Sequence, residues 1–243
     1  MGGSWKIAQE DFLKDFSALN QLTLRASYGG QGNDNLGTYY AYQGLYTIAN
    51  SLGEGGTFTN RLPTPDLKWE TNLNLNIGLD IAAFKNRVSL SVEYFNRQSK
   101  DLLFTMPMPY SSGYSGYDAN IGSLRNRGFD IDIHTIPVLT ENFRWNLDVN
   151  LSHYTNKITS LPNNNKDIIT GTRALRVGGT IYDFFMPEWA GVNPENGLPQ
   201  WYLADKDGNK TDQKTSEYTK AGFFDAGSPL PDLIGGINNS FSY

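Results

Sequence analysis

The segment from Trp69 to Ile81 constrains the fold most. Leu73, Leu75, Ile77, Leu79 and Ile81 alternate with Asn72, Asn74, Asn76, Gly78 and Asp80. A period of two places every aliphatic on one face of a strand and every polar group on the other. The same alternation returns in Leu22–Ala26, Val88–Tyr94, Phe129–Ile133 and Phe143–Leu151, and in Ile237, Phe241 and Tyr243. Phe95 is the one apolar residue out of phase.

Soluble antiparallel sheets alternate too, so length and connectivity must decide. Leu67 to Ile81 reads as one strand of about 15 residues, or about 50 Å, against about 5–6 residues in soluble strands. Tilted by about 45°, it crosses a bilayer and projects beyond it. Short turns are expected at Ala82–Arg87 and Pro137–Asn142, and long segments at Gly29–Pro65, Thr105–Asn126 and Thr159–Asp232. All the short links then fall on one side and all the long ones on the other, as in outer-membrane barrels. Trp69, Tyr94, Phe95, Phe104, Phe143, Trp145 and Tyr154 cluster at strand ends, where amphipathic rings suit the headgroup level.

The expected fold is therefore all-β: a partial antiparallel transmembrane β-barrel, an open segment of a large barrel, with long extracellular loops. One stretch departs from it. Within Ala8–Leu19, Glu10 and Lys14 stand at i,i+4, and Phe12, Leu13, Phe16 and Leu19 can share a helical face, so a short helical turn is expected on the periplasmic side.

Composition agrees and excludes. The chain carries 25 Gly and 13% aromatic residues, which favour turns and strands respectively. Net charge is −5 with no basic run, so no nucleic-acid partner is expected. There is no Cys, so neither disulfides nor thiolate metal sites can form. Mean hydropathy is −0.46, and a hydropathy scan misses barrel strands because their lipid face is interleaved. Residues 1–7 lack the features of a secretory signal.

Several stretches resemble the barrel of SusC/RagA-type TonB-dependent transporters. They include Leu22-Thr23-Leu24-Arg25-Ala26-Ser27-Tyr28-Gly29, Pro65-Asp66-Leu67-Lys68-Trp69-Glu70, Tyr94-Phe95-Asn96 and Lys100-Asp101-Leu102-Leu103. Asn126-Arg127-Gly128-Phe129-Asp130, Trp189-Ala190-Gly191-Val192-Asn193-Pro194 and Gly227-Ser228-Pro229-Leu230-Pro231 continue the series in the family's order. The resemblance implies the outer membrane of a Gram-negative, Bacteroidetes-like bacterium. It also implies an N-terminal plug, contact with the TonB complex and with outer-membrane lipid, a SusD-like surface lipoprotein, and import of oligosaccharides or, in some members, peptides. Six full strands and a remnant at Gly2–Ile7 cannot close so large a barrel. Residues 1–243 are thus expected to be an excerpt lacking the plug and the remaining strands.

Loop aromatics are the candidate ligand contacts: Tyr110, Tyr114 and Tyr117 in a Gly/Ser-rich loop, and Trp189, Trp201 and Tyr202 farther on. Tyr39, Tyr40, Tyr42 and Tyr46 form another cluster. Flat rings with polar tips can stack on sugars, although loop self-packing or contact with the lipoprotein would use the same residues. The lumen rows (Asn72, Asn74, Asn76 and Asp80; Arg144, Asn146, Asp148 and Asn150) should line water or touch the plug.

Asp205–Asp212 superficially resembles a calcium loop, but Gly208 is fourth and Ser216 twelfth, where an EF-hand needs Gly sixth and Glu twelfth. Asp207-Gly208-Asn209 is expected to be a hairpin turn instead. His134 and His153 have no visible companions for a metal site or a triad, and no phosphate loop or nucleophile elbow occurs. No cofactor, metal or enzymatic activity is expected. The competing reading is a soluble β-sandwich carbohydrate-binding module using the same Tyr and Trp clusters.

Overall fold

A computed structural model describes residues 1–37, 39–51, 53–59, 61–114 and 116–243, with the side chains of Ser51, Arg61, Pro107, Tyr110 and Asn163 outside the description. The chain divides into two compact units, Met1–Thr155 with Asp232–Tyr243, and Asn156–Pro231.

The first unit is built on a seven-stranded sheet whose strands neighbour one another in chain order. These are β1 (Gly2–Lys6), β2 (Leu19–Asn33), β3 (Glu70–Ala83), β4 (Val88–Lys100), β5 (Ser123–Leu139), β6 (Arg144–Ser160) and β7 (Ile234–Ser242). Strands of 13 to 17 residues in β2–β6 are two to three times the usual soluble length.

Register joins the alternating rows. Leu24 pairs with Leu79, Leu79 with Val92, and Val92 with Ile131. One row lower, Leu22, Ile81, Leu90 and Ile133 align. Directly paired residues share a face, so the aliphatics form one continuous outward surface. None of Leu73, Leu75, Ile77, Leu79 and Ile81 is buried. Among the described residues of this unit, Ala82 and Phe95 are the buried apolar side chains, and both lie on the polar face. A sandwich would bury its apolar rows against a second sheet. The sheet is instead an open segment of a membrane barrel, with its apolar face toward lipid.

Phe95 has a local explanation. It stands opposite Gly128, and the Arg97 guanidinium carbon lies 4.9 Å from its ring centroid.

Links follow the expected parity with shifted bounds. β3 passes to β4 through 84–87 and β5 to β6 through 140–143. The strand expected from Leu67 begins at Glu70, because the Lys68 backbone is held elsewhere: Asn120 accepts from Lys68 N at 2.6 Å and donates to Lys68 O at 2.7 Å. The expected helical turn is a 3-10 turn at Ile7–Gln9 followed by hydrogen-bonded turns. Lys14 pairs with Asp11 at 2.8 Å, not with Glu10, which accepts from Trp5 Nε1 at 2.7 Å. Lys14 N does bond to Glu10 O at 2.9 Å, but the Glu10 side chain is taken by Trp5 and the Lys14 side chain by Asp11, so the two side chains do not pair.

The long links carry their own sheets. Tyr46–Ser51 pairs with Glu54–Thr59, and Gly116–Asn120 lies between Leu103–Pro107 and the short strand Arg61–Leu62. The second unit holds three further small sheets, the largest being Trp189–Val192, Pro199–Ala204 and Lys210–Thr215. Arg176 anchors this unit. It donates to Asp167 at 2.6 Å, pairs with Asp225, and lies 4.7 Å over the Phe185 ring.

Candidate functional site

The inward face is polar because most of its positions are Asn, Gln, Ser, Thr, Asp, Glu, Arg or His, with Gly78, Ala82, Phe95 and Gly128 among the exceptions. At its centre the Arg25 guanidinium donates to Asp80 at 2.9 Å and to Glu93 at 2.7 Å. Ser91 donates to the same Asp80 at 2.8 Å. Arg25, Gly78 and Glu93 occupy one cross-strand row, and Thr23, Asp80 and Ser91 the next. A Cβ at position 78 would lie 2.8 Å from the guanidinium carbon, so glycine is what lets the arginine cross β3.

Farther along the sheet, His134 Nδ1 meets Asp148 Oδ1 at 2.5 Å, and Ser152 donates to Asp130 at 2.5 Å. His134 therefore has a carboxylate companion that the sequence did not reveal, because the two lie on adjacent strands brought together by register. The polar face borders a concavity of about 720 Å³ lined by Asp80, Asp132, His134, Asp148 and Asn150, among others. These groups can hold water or a polar partner surface.

The sequence-named aromatics divide. Tyr114 and Tyr117 are half-buried, Tyr117 within the strand Gly116–Asn120, and the Tyr110 side chain lies outside the described residues. Nearby, Asp118 is buried and accepts from Thr105 at 2.6 Å. Tyr39 and Tyr42 join Trp69 around a hollow of about 250 Å³.

In the second unit Trp189 and Trp201 pair across two strands, their rings 6.0 Å apart at 81°. Trp201 then meets Tyr218 at 5.2 Å and 83°. Tyr202 follows Trp201 on a strand and so points to the other face, where Lys210 Nζ lies 4.0 Å from its ring centroid. The structure thus groups Trp189 with Trp201, separates Tyr202, and adds Tyr218. Only the alternation within Pro199–Ala204 could have signalled the split.

Asp205 closes the adjoining hairpin. Its carboxylate accepts from the backbone of Asn209 at 2.8 Å and of Asp207 at 2.9 Å. The bonds from Asn209 above all hold its pKa below the usual carboxylate range. Gly208 takes φ +84°, as the turn requires. The carboxylate is committed to the backbone, and no cluster of three metal-ligating side chains occurs among the described residues. Lys210 is held above the usual lysine range by its bond to Glu188 at 2.5 Å.

A long-stranded meander with an apolar outer face, a polar concave face and long links on one side is the geometry of a barrel wall. The family model described as TonB dependent receptor-like, beta-barrel, matches residues 3–237. The chain belongs to that family. TonB-dependent receptor P3 of Formosa agariphila is 31% identical over 99% of this chain and 26% of its own length. TonB-dependent receptor SusC of Bacteroides thetaiotaomicron is 30% identical over 98% of this chain and 25% of its own. A solved structure of the RagAB peptide transporter superposes with a TM-score of 0.85 at 31% identity, covering 100% of this chain and 27% of the other. This TonB-dependent receptor segment is therefore of the SusC/RagA type, and it spans about a quarter of the length of the curated relatives it matches.

Proposed function

We propose that residues 1–243 form part of the wall and outer loops of an outer-membrane, TonB-dependent importer of nutrient oligomers. On this reading the plug and the remaining strands belong to the whole protein outside these residues. The observation that carries it is the outward aliphatic surface running through the rows of Leu22, Ile81, Leu90 and Ile133 and of Leu24, Leu79, Val92 and Ile131, with the Arg25–Asp80–Glu93 network on the other side of the sheet. The inward face meets the plug, and the barrel works with a SusD-like surface lipoprotein and draws energy through TonB. It needs no catalytic residue.

Oligosaccharides are the first substrate class, supported by the Trp189–Trp201–Tyr218 ring chain and by Tyr114 and Tyr117 on long links. Flat amphipathic rings suit sugar faces. Peptides are the second, favoured by the likeness to a structure described as a peptide transporter.

The test is uptake by cells expressing the whole protein. Labelled oligosaccharide should enter only with the intact gene and an energised inner membrane, and the purified barrel should bring a surface lipoprotein with it. Peptide uptake in place of oligosaccharide uptake selects the second class. Entry of neither, with no lipoprotein recovered, contradicts the proposal.

A further inference from the structure

Along β4 and β5 the outward face changes character abruptly. Val92 pairs with Ile131 and Tyr94 with Phe129, giving an aliphatic row and then an aromatic one. The next outward pair is Asn96 with Arg127, then Gln98 with Arg125, then Lys100 with Ser123. Three cations thus occupy three successive rows on two neighbouring strands, each row about 7 Å above the last. The His153 ring packs on Phe129 at 5.4 Å from β6, continuing the aromatic level beneath them.

No carboxylate shares their face of the strands β2 to β6, since Glu70, Asp80, Glu93, Asp130, Asp132 and Asp148 all lie on the inward rows. Among the described residues, Lys100, Arg125 and Arg127 make no ion pair, whereas Arg25 on the inward face makes two. Lys100 and Arg127 are exposed and Arg125 half-buried. The rows stand at the long-link end of the strands, which in a barrel of this kind is the outer side.

Cations directly above an aromatic girdle lie at the depth of lipid headgroups. Arg presents a planar fork that takes phosphate oxygens in pairs. We propose that Lys100, Arg125 and Arg127 form a binding site on the outer wall for the phosphates of an anionic lipid in the outer leaflet. The site rests on the membrane placement proposed above but is independent of substrate and of TonB. Its occupant is a lipid rather than free phosphate, because Tyr94, Phe129 and the aliphatic rows below offer an adjoining apolar surface for acyl chains.

The test uses the whole protein reconstituted in phosphatidylcholine nanodiscs doped with bis-phosphorylated lipid A or with its dephosphorylated form, and reads bound lipid by native mass spectrometry. The wild-type protein should retain the phosphorylated lipid and not the dephosphorylated one, and added inorganic phosphate should not displace it. The variant Lys100→Gln/Arg125→Gln/Arg127→Gln should bind more weakly by on the order of a hundredfold, about fivefold per cation. Equal retention of both lipids by the wild-type protein, or displacement by inorganic phosphate, overturns the proposal. So does undiminished retention by a folded triple variant. The wild-type comparison needs no variant, so it decides the matter even if the triple variant fails to fold. Loss of this site would leave the importer reading standing, because uptake measures that separately.

Discussion

Arg25 reaches across Gly78 to Glu93, Nη1 to Oε2 at 2.7 Å, so that one guanidinium ties β2 to β4 over the strand between them. The crossing depends on the missing side chain at position 78. Gly78→Val would drive a branched side chain into the guanidinium, and the expected cost is about 1–3 kcal/mol of overpacking. Urea titration of the folded whole protein in detergent would measure it. A neutral result would mean that Arg25 does not lie over β3.

The outward row should be intolerant of charge and the inward row tolerant. Leu79 sits at the centre of the aliphatic surface, between Leu24 and Val92. Leu79→Arg is expected to destabilise the barrel by about 2–4 kcal/mol if that row lies near mid-bilayer. Asn74→Arg, one face over, should cost far less. Comparing the folding free energies of the two variants in the same lipid checks the difference.

Asn120 secures the outer loops to the sheet. Its side chain bonds both backbone groups of Lys68, just before β3, and donates to Asp101 O at 2.9 Å, just after β4. Asn120→Ala removes all three bonds, an expected loss of about 1–3 kcal/mol confined to the loops. Hydrogen exchange should quicken across 101–122 while β3 and β4 keep their protection.

The Asp205 turn should respond to acid. Its carboxyl pKa is lowered in the folded hairpin by bonds from Asn209 and Asp207. Its stabilising contribution is therefore fully present above the unfolded carboxylate pKa of about 3.9 and is lost as pH falls through the lower folded value. Amide exchange at Asp207 and Asn209 should rise in that window. Asp205→Asn should blunt the pH response, since its side chain does not titrate.

Much of the wall was legible from residues alone, because a two-residue period survives any register and fixes which side chains share a face. Even Phe95, the apparent fault, is accommodated on the polar face by the cation over its ring. The loops were not legible to the same degree. The Asn120 clamp and the His134–Asp148 contact join residues far apart in sequence, and no local pattern signals such pairings. Trp201 and Tyr202 looked like one cluster because they are adjacent. Adjacency within a strand is what sends them to opposite faces, and Tyr218 reaches Trp201 only through the fold of its link.

The central claim is that one face of β3 meets lipid and the other meets water. Single cysteines placed in turn from Leu73 to Ile81 in a cysteine-free whole protein, each spin-labelled in bilayers, would test it directly. Residues 1–243 contain no native cysteine to compete for the label. The expected result is a period of two: labels at Leu73, Leu75, Ile77, Leu79 and Ile81 relaxed by oxygen dissolved in lipid, and those at Asn72, Asn74, Asn76, Gly78 and Asp80 shielded from it. Accessibility that fails to alternate, or oxygen contact on the Asn72–Asp80 row, would contradict the account.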